Sequence, residues 1–388
     1  MLSARFTKKR LLLAIGVLFL LAIVVLGTVL ASHWTYIQHV RHYPSRPITD
    51  VDWYEPKETI PGGTVTEIPA AAQEELKIDG VAISNAVRYA EKKNSASLLI
   101  VHRGKVVVES YWQGQTASRW TDSASMAKSV TALLIGIAIA EGKIHSIDQP
   151  AEDFLPEWSK DTRRRITIRH LLSMHSGLRP DGEYNDPFSD AWYLALGTDL
   201  RYVVRHIPTV MEPGATNDYN NANYQALGFV LEAATGQSYA SYLSEKLWKP
   251  LGNANAALWL DRKGGSVRTF GYLFATARDW ARVGLLILND GRWNGRQIVP
   301  ANWIQAMKKP SATDPDYGHG IWIGSGKGSK RPDHDESFAA EDVFYLDGRN
   351  KQRVYIVPSC QLVVVRVGEQ ARDWDESYLV NLLVRGSR

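Results

Sequence analysis

The chain predicts an α+β domain: an antiparallel sheet flanked by helices, with an inserted, mostly helical region and a transmembrane helix in front. Strand-like segments cluster early, at 97–111, and again late, between 319 and 367, with helix-like segments between. That order brings the two ends of one domain together in a single sheet. A single uncharged apolar run opens the chain at residues 11–31. The 45% hydrophobic content and 13 tryptophans supply ample material for a core.

The first element is the apolar run. At a rise of about 1.5 Å per residue it spans roughly 30 Å, the hydrocarbon thickness of a bilayer. Arg5, Lys8, Lys9 and Arg10 precede it and hold the N-terminus on the cytoplasmic side. The expectation is a cytoplasmic basic segment at 1–10 and an anchor at 11–31. The protein then sits single-pass in a bacterial inner membrane, with everything after residue 31 in the periplasm or outside the cell. Trp34 and Tyr36 follow at headgroup depth. The competing reading is a cleaved signal peptide ending at Val29-Leu30-Ala31, although such apolar regions usually run to about 7–15 residues. Residues 32–74 read as an extended linker wrapping onto the domain, with Pro44, Pro47, Pro56, Pro61, Gly62, Gly63 and Pro69 breaking regular structure. The globular domain occupies 75–388.

Within it, Val81, Ile83, Val87 and Ala90 give a helical stripe over 81–93. Residues 97–102 and 105–111 flank Arg103-Gly104 as a hairpin. Helices are expected at 125–141, 168–175, 199–206, 222–235 and 239–248, so the region from about 125 to 255 is mostly helical. Strands follow at 319–324, 342–347, 352–357 and 361–367, the last carrying Leu362-Val363-Val364-Val365. Tyr378, Leu379, Leu382 and Leu383 close the domain with a helix over about 374–385.

Charge and cysteine content narrow the function. The chain carries a net charge of +4, yet six of its Lys and Arg precede Asp50, the first acidic residue. The folded part is therefore slightly acidic, and nucleic-acid binding has no electrostatic motive. Cys360 is the single cysteine, which excludes an intrachain disulfide and a thiolate metal cage. The sequence has no His-Glu-x-x-His and no Gly-x-Ser-x-Gly. Gly324-Ser325-Gly326-Lys327-Gly328 lacks the spacing and the Ser/Thr of a phosphate loop.

The chemistry concentrates at Ser125-Met126-Ala127-Lys128, the only Ser-x-x-Lys in the chain. A serine alcohol needs a neighbouring base to become a nucleophile. Residues three apart share a helical face, so the Lys128 amine can lie beside the Ser125 hydroxyl. The first turn of the helix also presents unpaired backbone N–H groups that favour developing negative charge.

Further segments follow in order: Gly142-Lys143-Ile144 with Asp148-Gln149-Pro150, Ile168-Arg169-His170-Leu171-Leu172-Ser173-Met174-His175-Ser176-Gly177-Leu178, and Tyr219-Asn220-Asn221-Ala222-Asn223-Tyr224. Ala277-Arg278-Asp279-Trp280-Ala281-Arg282 and Tyr317-Gly318-His319-Gly320-Ile321-Trp322 complete the set. With Ser125–Lys128, these resemble the serine hydrolases related to class C β-lactamases, penicillin-binding carboxypeptidases, family VIII esterases and 6-aminohexanoate-dimer hydrolases. The resemblance covers about residues 75–388 and implies a β-lactamase/transpeptidase-like fold.

It also implies roles. Tyr219-Asn220-Asn221 matches a Tyr-x-Asn motif, so Tyr219 joins Ser125 and Lys128 as a catalytic group. Asn221 then binds substrate and accepts a bond from Lys128. Where relatives carry Lys-Thr-Gly, His-x-Gly or Trp-Gly-Gly, the expected slot here is Arg349-Asn350-Lys351. The backbone N–H of Gln352 then pairs with that of Ser125 around an oxyanion. Arg349 either receives a substrate carboxylate or is a solvated edge charge. Tyr184, in Glu183-Tyr184-Asn185-Asp186-Pro187, is a further candidate contact to substrate. His170 and His175 read as structural, and Asp279 with Arg282 as an ion pair.

The function expected is a membrane-tethered serine hydrolase acting on a small ester, amide or peptide through an acyl-enzyme, with no cofactor and no metal. The alternatives are a D-Ala carboxypeptidase or β-lactamase of the penicillin-binding type, and a non-catalytic cell-wall or acyl-compound binding protein.

Overall fold

The computed structural model describes residues 2–43, 46–311, 313–324 and 336–387. The apolar run lies within helix α1 (Leu2–Ser32), whose side chains from Leu12 onward are exposed. Among the described residues this is the one helix long and apolar enough to cross a membrane. Helix α2 (Trp34–His42) follows after a single residue. The segment expected to be an extended linker thus begins as a helix and then runs over the domain to strand β1 (Lys57–Ile60). Its prolines all lie beyond His42, so nothing interrupts the first turns.

Helix α3 (Gly80–Lys92) is capped by Asp79, which accepts from the N–H groups of Val81 and Ala82. Strands β2 (Ser95–His102), β3 (Lys105–Tyr111) and β4 (Thr121–Asp122) lead to helix α4 (Ala127–Ala140). The helical region continues with α5 (Ile168–Leu172), α6 (Asp190–Leu196), α7 (Leu200–His206), α8 (Asn221–Thr235) and α9 (Tyr239–Leu243). Strands β5 (Ala256–Trp259) and β6 (Leu273–Ala275) and helix α10 (Ala277–Leu288) come next. A small hairpin, β7 (Arg292–Trp293) with β8 (Arg296–Gln297), precedes α11 (Ala301–Met307). The chain closes with β9 (Trp322–Ile323), β10 (Phe344–Gly348), β11 (Gln352–Val357), β12 (Leu362–Gly368) and α12 (Tyr378–Gly386).

The main sheet has the order β3-β2-β12-β11-β10-β9, antiparallel throughout. The first hairpin pairs with the last strand, as the early and late clustering requires. Alternation along each strand sends Leu99, Val101, Val363 and Val365 to one face and Leu98, Ile100, Leu362 and Val364 to the other. Helix α10 covers the first face, and α3 with α12 the second. Helix α4 is buried on every side from Ala127 to Ala138, which explains its lack of an amphipathic stripe.

A second sheet, β1-β5-β6-β4, was not legible in the sequence. Its strands hold two to four residues each, too few to set up a periodicity. The strand expected at 319–324 shrinks to Trp322–Ile323. Gly320 there takes φ +72°, where a Cβ would collide with Tyr224 and Ala132, so the chain turns instead of extending. The final helix starts later than expected, at Tyr378. Residues 325–328 of the glycine-rich stretch lie outside the described residues.

Candidate active site

Strand β4 pairs with β6 and ends at Asp122, from which the chain enters a tight turn over Ala124–Met126 and then α4. Ala124 has φ +45°, a left-handed conformation that costs a non-glycine residue on the order of 1 kcal/mol. Two bonds hold it there. Asp122 Oδ1 accepts from the Ala124 N–H at 2.9 Å, and Tyr54 donates to Asp122 Oδ2 at 3.0 Å. Ser125 follows directly and lines a cleft of about 360 Å³.

Lys128 is buried beneath Ser125. Its Nζ lies 2.9 Å from Ser125 Oγ, 2.7 Å from Asn221 Oδ1 and 3.0 Å from the Phe270 carbonyl. The last two oxygens can only accept, so they take two N–H bonds from the amine. In the neutral amine the remaining lone pair then faces Ser125. Burial lowers the Lys128 pKa to about 7, against the opposing pull of Asp181 and Asp347. The orientation of Asn221 is itself fixed: Asp181 Oδ2 accepts from its backbone N–H and from its side-chain amide.

Tyr219 comes from the turn before α8, which Asn220 caps by accepting from Ala222 N–H at 2.8 Å. The ring stacks on Trp322 with centroids 5.6 Å apart, and Lys128 Nζ lies 4.8 Å from its centroid. The phenol lines the cleft beside Ser125. Tyr219 is 38% exposed, but desolvation at its hydroxyl end, with Tyr317 and Asp347 nearby, pushes its pKa well above the usual phenol range, so it is a protonated group at neutral pH.

Tyr184 and Arg349 line the same cleft, along with Asn221. The Asn221 amide is fully engaged, donating to Asp181 and to the Tyr184 hydroxyl. The Tyr184 O–H is therefore the donor nearer the cleft. Tyr184 is 40% exposed overall, and desolvation at its hydroxyl end, with Asp181 and Tyr43 nearby, raises its pKa and keeps it protonated. Arg349 is exposed at the cleft edge. Its guanidinium donates to the Tyr43 hydroxyl and lies 5.2 Å from that ring's centroid.

Gln352 does not reach the cleft. It stands opposite Gly348 at the top of the β10–β11 hairpin, and its N–H donates to the Arg349 carbonyl. Its side chain clasps Gly368, donating to the carbonyl and accepting from the N–H. Lys351 also turns away, toward Glu376 at 3.7 Å. From this hairpin Asp347 and Arg349 line the cleft, so the cleft-facing residues begin two positions before the expected slot. Gly348 lies so close to the turn before Ser125 that a Cβ would collide with the Ser123 carbonyl. Strand β10 thus presents Asp347 to the site, while Leu346 packs into the core. The hairpin turn carries Arg349-Asn350-Lys351, with Asn350 and Lys351 at positive φ.

Asp181, the Phe270 carbonyl, Trp322, Asp347 and Tyr43 were not singled out in the sequence. Asp181 lies three residues before Tyr184, just outside both the Ile168–Leu178 and Glu183–Pro187 segments.

A family model described as Beta-lactamase matches residues 82–376. The chain belongs to the Beta-lactamase family. The 6-aminohexanoate-dimer hydrolase of Paenarthrobacter ureafaciens is 25% identical over 265 residues, 64% of this chain and 67% of that one. Among solved structures, a Bacillus anthracis protein provisionally called a 6-aminohexanoate-dimer hydrolase superposes with TM-score 0.71 at 22% identity, covering 87% and 90% of the two chains. EstCE1, a hydrolase with promiscuous acyltransferase activity, superposes with TM-score 0.62 at 14% identity, covering 79% and 97%.

This Beta-lactamase family member is a hydrolase by fold, and several of the segments quoted above are its scaffold. Thr167 and His170 form a reciprocal cap on α5. His175 contacts Thr313. Arg282 donates to Asp279 at 3.0 Å with both buried, while Asp279 caps α10 with Thr276.

Proposed function

We propose that the protein is a membrane-anchored serine hydrolase that cleaves an ester or short amide through an acyl-enzyme on Ser125. The observation that carries this reading is the setting of Lys128, an amine with lowered pKa whose two N–H bonds are taken by acceptor-only oxygens while its third direction meets Ser125 Oγ.

Ser125 Oγ attacks the acyl carbonyl carbon as Lys128 Nζ takes the hydroxyl proton. The carbonyl π electrons move to oxygen, and the backbone N–H groups of Ser125 and Arg349 receive that oxyanion. The contact of Gly348 with the turn at 123–124 supports Arg349 in this role, in place of Gln352. The bond to the leaving group then breaks, and the proton on Lys128 passes through the Tyr219 phenol to the departing oxygen or nitrogen. Water repeats the attack on the acyl-enzyme, giving its proton to the same pair, and Ser125 leaves with a proton restored. Tyr184 donates to the substrate, and Arg349 offers a cation to an anionic substituent.

An ester or short amide is favoured over a β-lactam or D-alanyl peptide. Relatives that bind such carboxylates place a lysine where this strand carries Leu346-Asp347-Gly348, and the Asp347 side chain is already paired with Arg353. Replacing Ser125 with alanine abolishes turnover of a p-nitrophenyl ester and labelling by a fluorophosphonate in a folded protein. Undiminished turnover removes the proposal.

A further inference from the structure

The apolar helix does not hand over to a loose tether. Helix α1 passes into α2 with His33 N–H donating to Val29 O and Ile37 N–H to His33 O, both at 3.0 Å. Helix α2 and the residue after it are then fixed to the catalytic domain at three heights. The Tyr36 hydroxyl accepts from Trp192 Nε1 on α6 at 2.8 Å. His39 is buried, its ring nitrogens facing the carbonyls of Leu196 at 2.9 Å and Glu55 at 3.0 Å. Tyr43 accepts from Arg349 in the cleft.

These heights convert to depth. At about 1.5 Å per residue, Tyr36 stands roughly 6 Å beyond Ser32, the end of the apolar span, and Tyr43 roughly 16 Å beyond it. Each headgroup layer of a bilayer is about 5–8 Å deep. The Tyr36–Trp192 contact therefore lies at headgroup level, and the Arg349 side of the cleft lies within a lipid's length of it.

A second observation falls on the same segment. Phe188, four residues before Trp192 in the turn leading into α6, is 85% exposed, more than any other large apolar side chain whose exposure is described. Tyr193 beside Trp192 is 41% exposed, and Trp34 at the foot of α2 is 57% exposed. Aromatic side chains left bare at this height match the interfacial belt of membrane proteins. The same segment supplies Tyr184 to the cleft wall.

We propose that residues 184–193 rest in the bilayer interface and that the substrate is a membrane-resident acyl amphiphile. Its hydrocarbon part stays in the bilayer while its ester or amide carbonyl rises to Ser125. This inference rests on the anchored serine-hydrolase reading and names the substrate class for it.

The test uses the full chain reconstituted in phosphatidylcholine/phosphatidylglycerol vesicles. In a Cys360→Ser background, Phe188→Cys carries a polarity-sensitive fluorophore, and lipids spin-labelled at the headgroup quench it. An unquenched label overturns the proposal. Turnover is then compared between a long-chain umbelliferyl ester embedded in the vesicles and water-soluble umbelliferyl acetate. The double variant Phe188→Ser/Tyr193→Ser lowers turnover of the embedded ester about tenfold and leaves the acetate within about twofold. Equal loss on both substrates, or no loss on either, overturns it. Acetate turnover that survives Ser125→Ala sinks the serine-hydrolase reading instead, so the two failures are distinguishable.

Discussion

Asp181 Oδ2 accepts two hydrogen bonds from Asn221, one from the backbone N–H at 2.9 Å and one from the side-chain amide at 2.6 Å. A carboxylate accepts only, so the Asn221 nitrogen must face it and the Asn221 oxygen must face Lys128. The direction in which the Lys128 lone pair points is thereby decided by a residue that never meets substrate.

The first prediction concerns the base. Lys128→Ala lowers kcat for a p-nitrophenyl ester by about 10²–10⁴-fold, the range for a lost general base. Circular dichroism shows the fold retained, because a buried amine gains little stability from being there. Wild-type turnover in this variant contradicts the assignment.

The pH profile follows from burial. Catalysis needs neutral Lys128, and the folded pKa is lowered to about 7, so kcat/KM rises with pH through about 7 and then levels. The negative charge of Asp181 favours the ammonium form. Asp181→Asn therefore moves the midpoint to lower pH, with kcat/KM against pH as the measurement. A shift upward opposes the electrostatic account.

Tyr219→Phe keeps the stacking on Trp322 and deletes the hydroxyl. The phenol is protonated at neutral pH, so it acts as a relay, and its loss lowers kcat by about 10²-fold or more. KM changes little. Steady-state kinetics on the variant give the split.

Two substitutions separate the strand slot from the hairpin turn. Gly348→Ala drives a Cβ into the Ser123 carbonyl, a misfit that costs about 1–3 kcal/mol and lowers the melting temperature and activity together. Lys351→Gly relaxes a positive φ at a residue facing away from the cleft and leaves kcat unchanged. The reverse pattern places the functional slot at 349–351 after all.

Legibility varied with the range of the cause. Ser125 and Lys128 are neighbours on one turn, and the sheet's long strands carry their own alternation, so both could be read directly. Gln352 misled because a hairpin top looks the same from either side in sequence. Only the pairing of Gly348 with Gln352 reveals which residues close the turn and which face the cleft. Asp181 and the Phe270 carbonyl were missed because their roles are contacts at long sequence separation, with no periodic or spacing signature.

The sequence by itself determined the apolar span, the α+β order of elements and the local Ser-x-x-Lys chemistry, since each follows from composition or short-range periodicity. Tertiary structure alone decided three things: the burial that lowers the Lys128 pKa, the facing of strand β10 and the docking of α2 beside the cleft. Desolvation and long-range hydrogen bonds exist only once distant segments have packed together, so no stretch of chain encodes them separately.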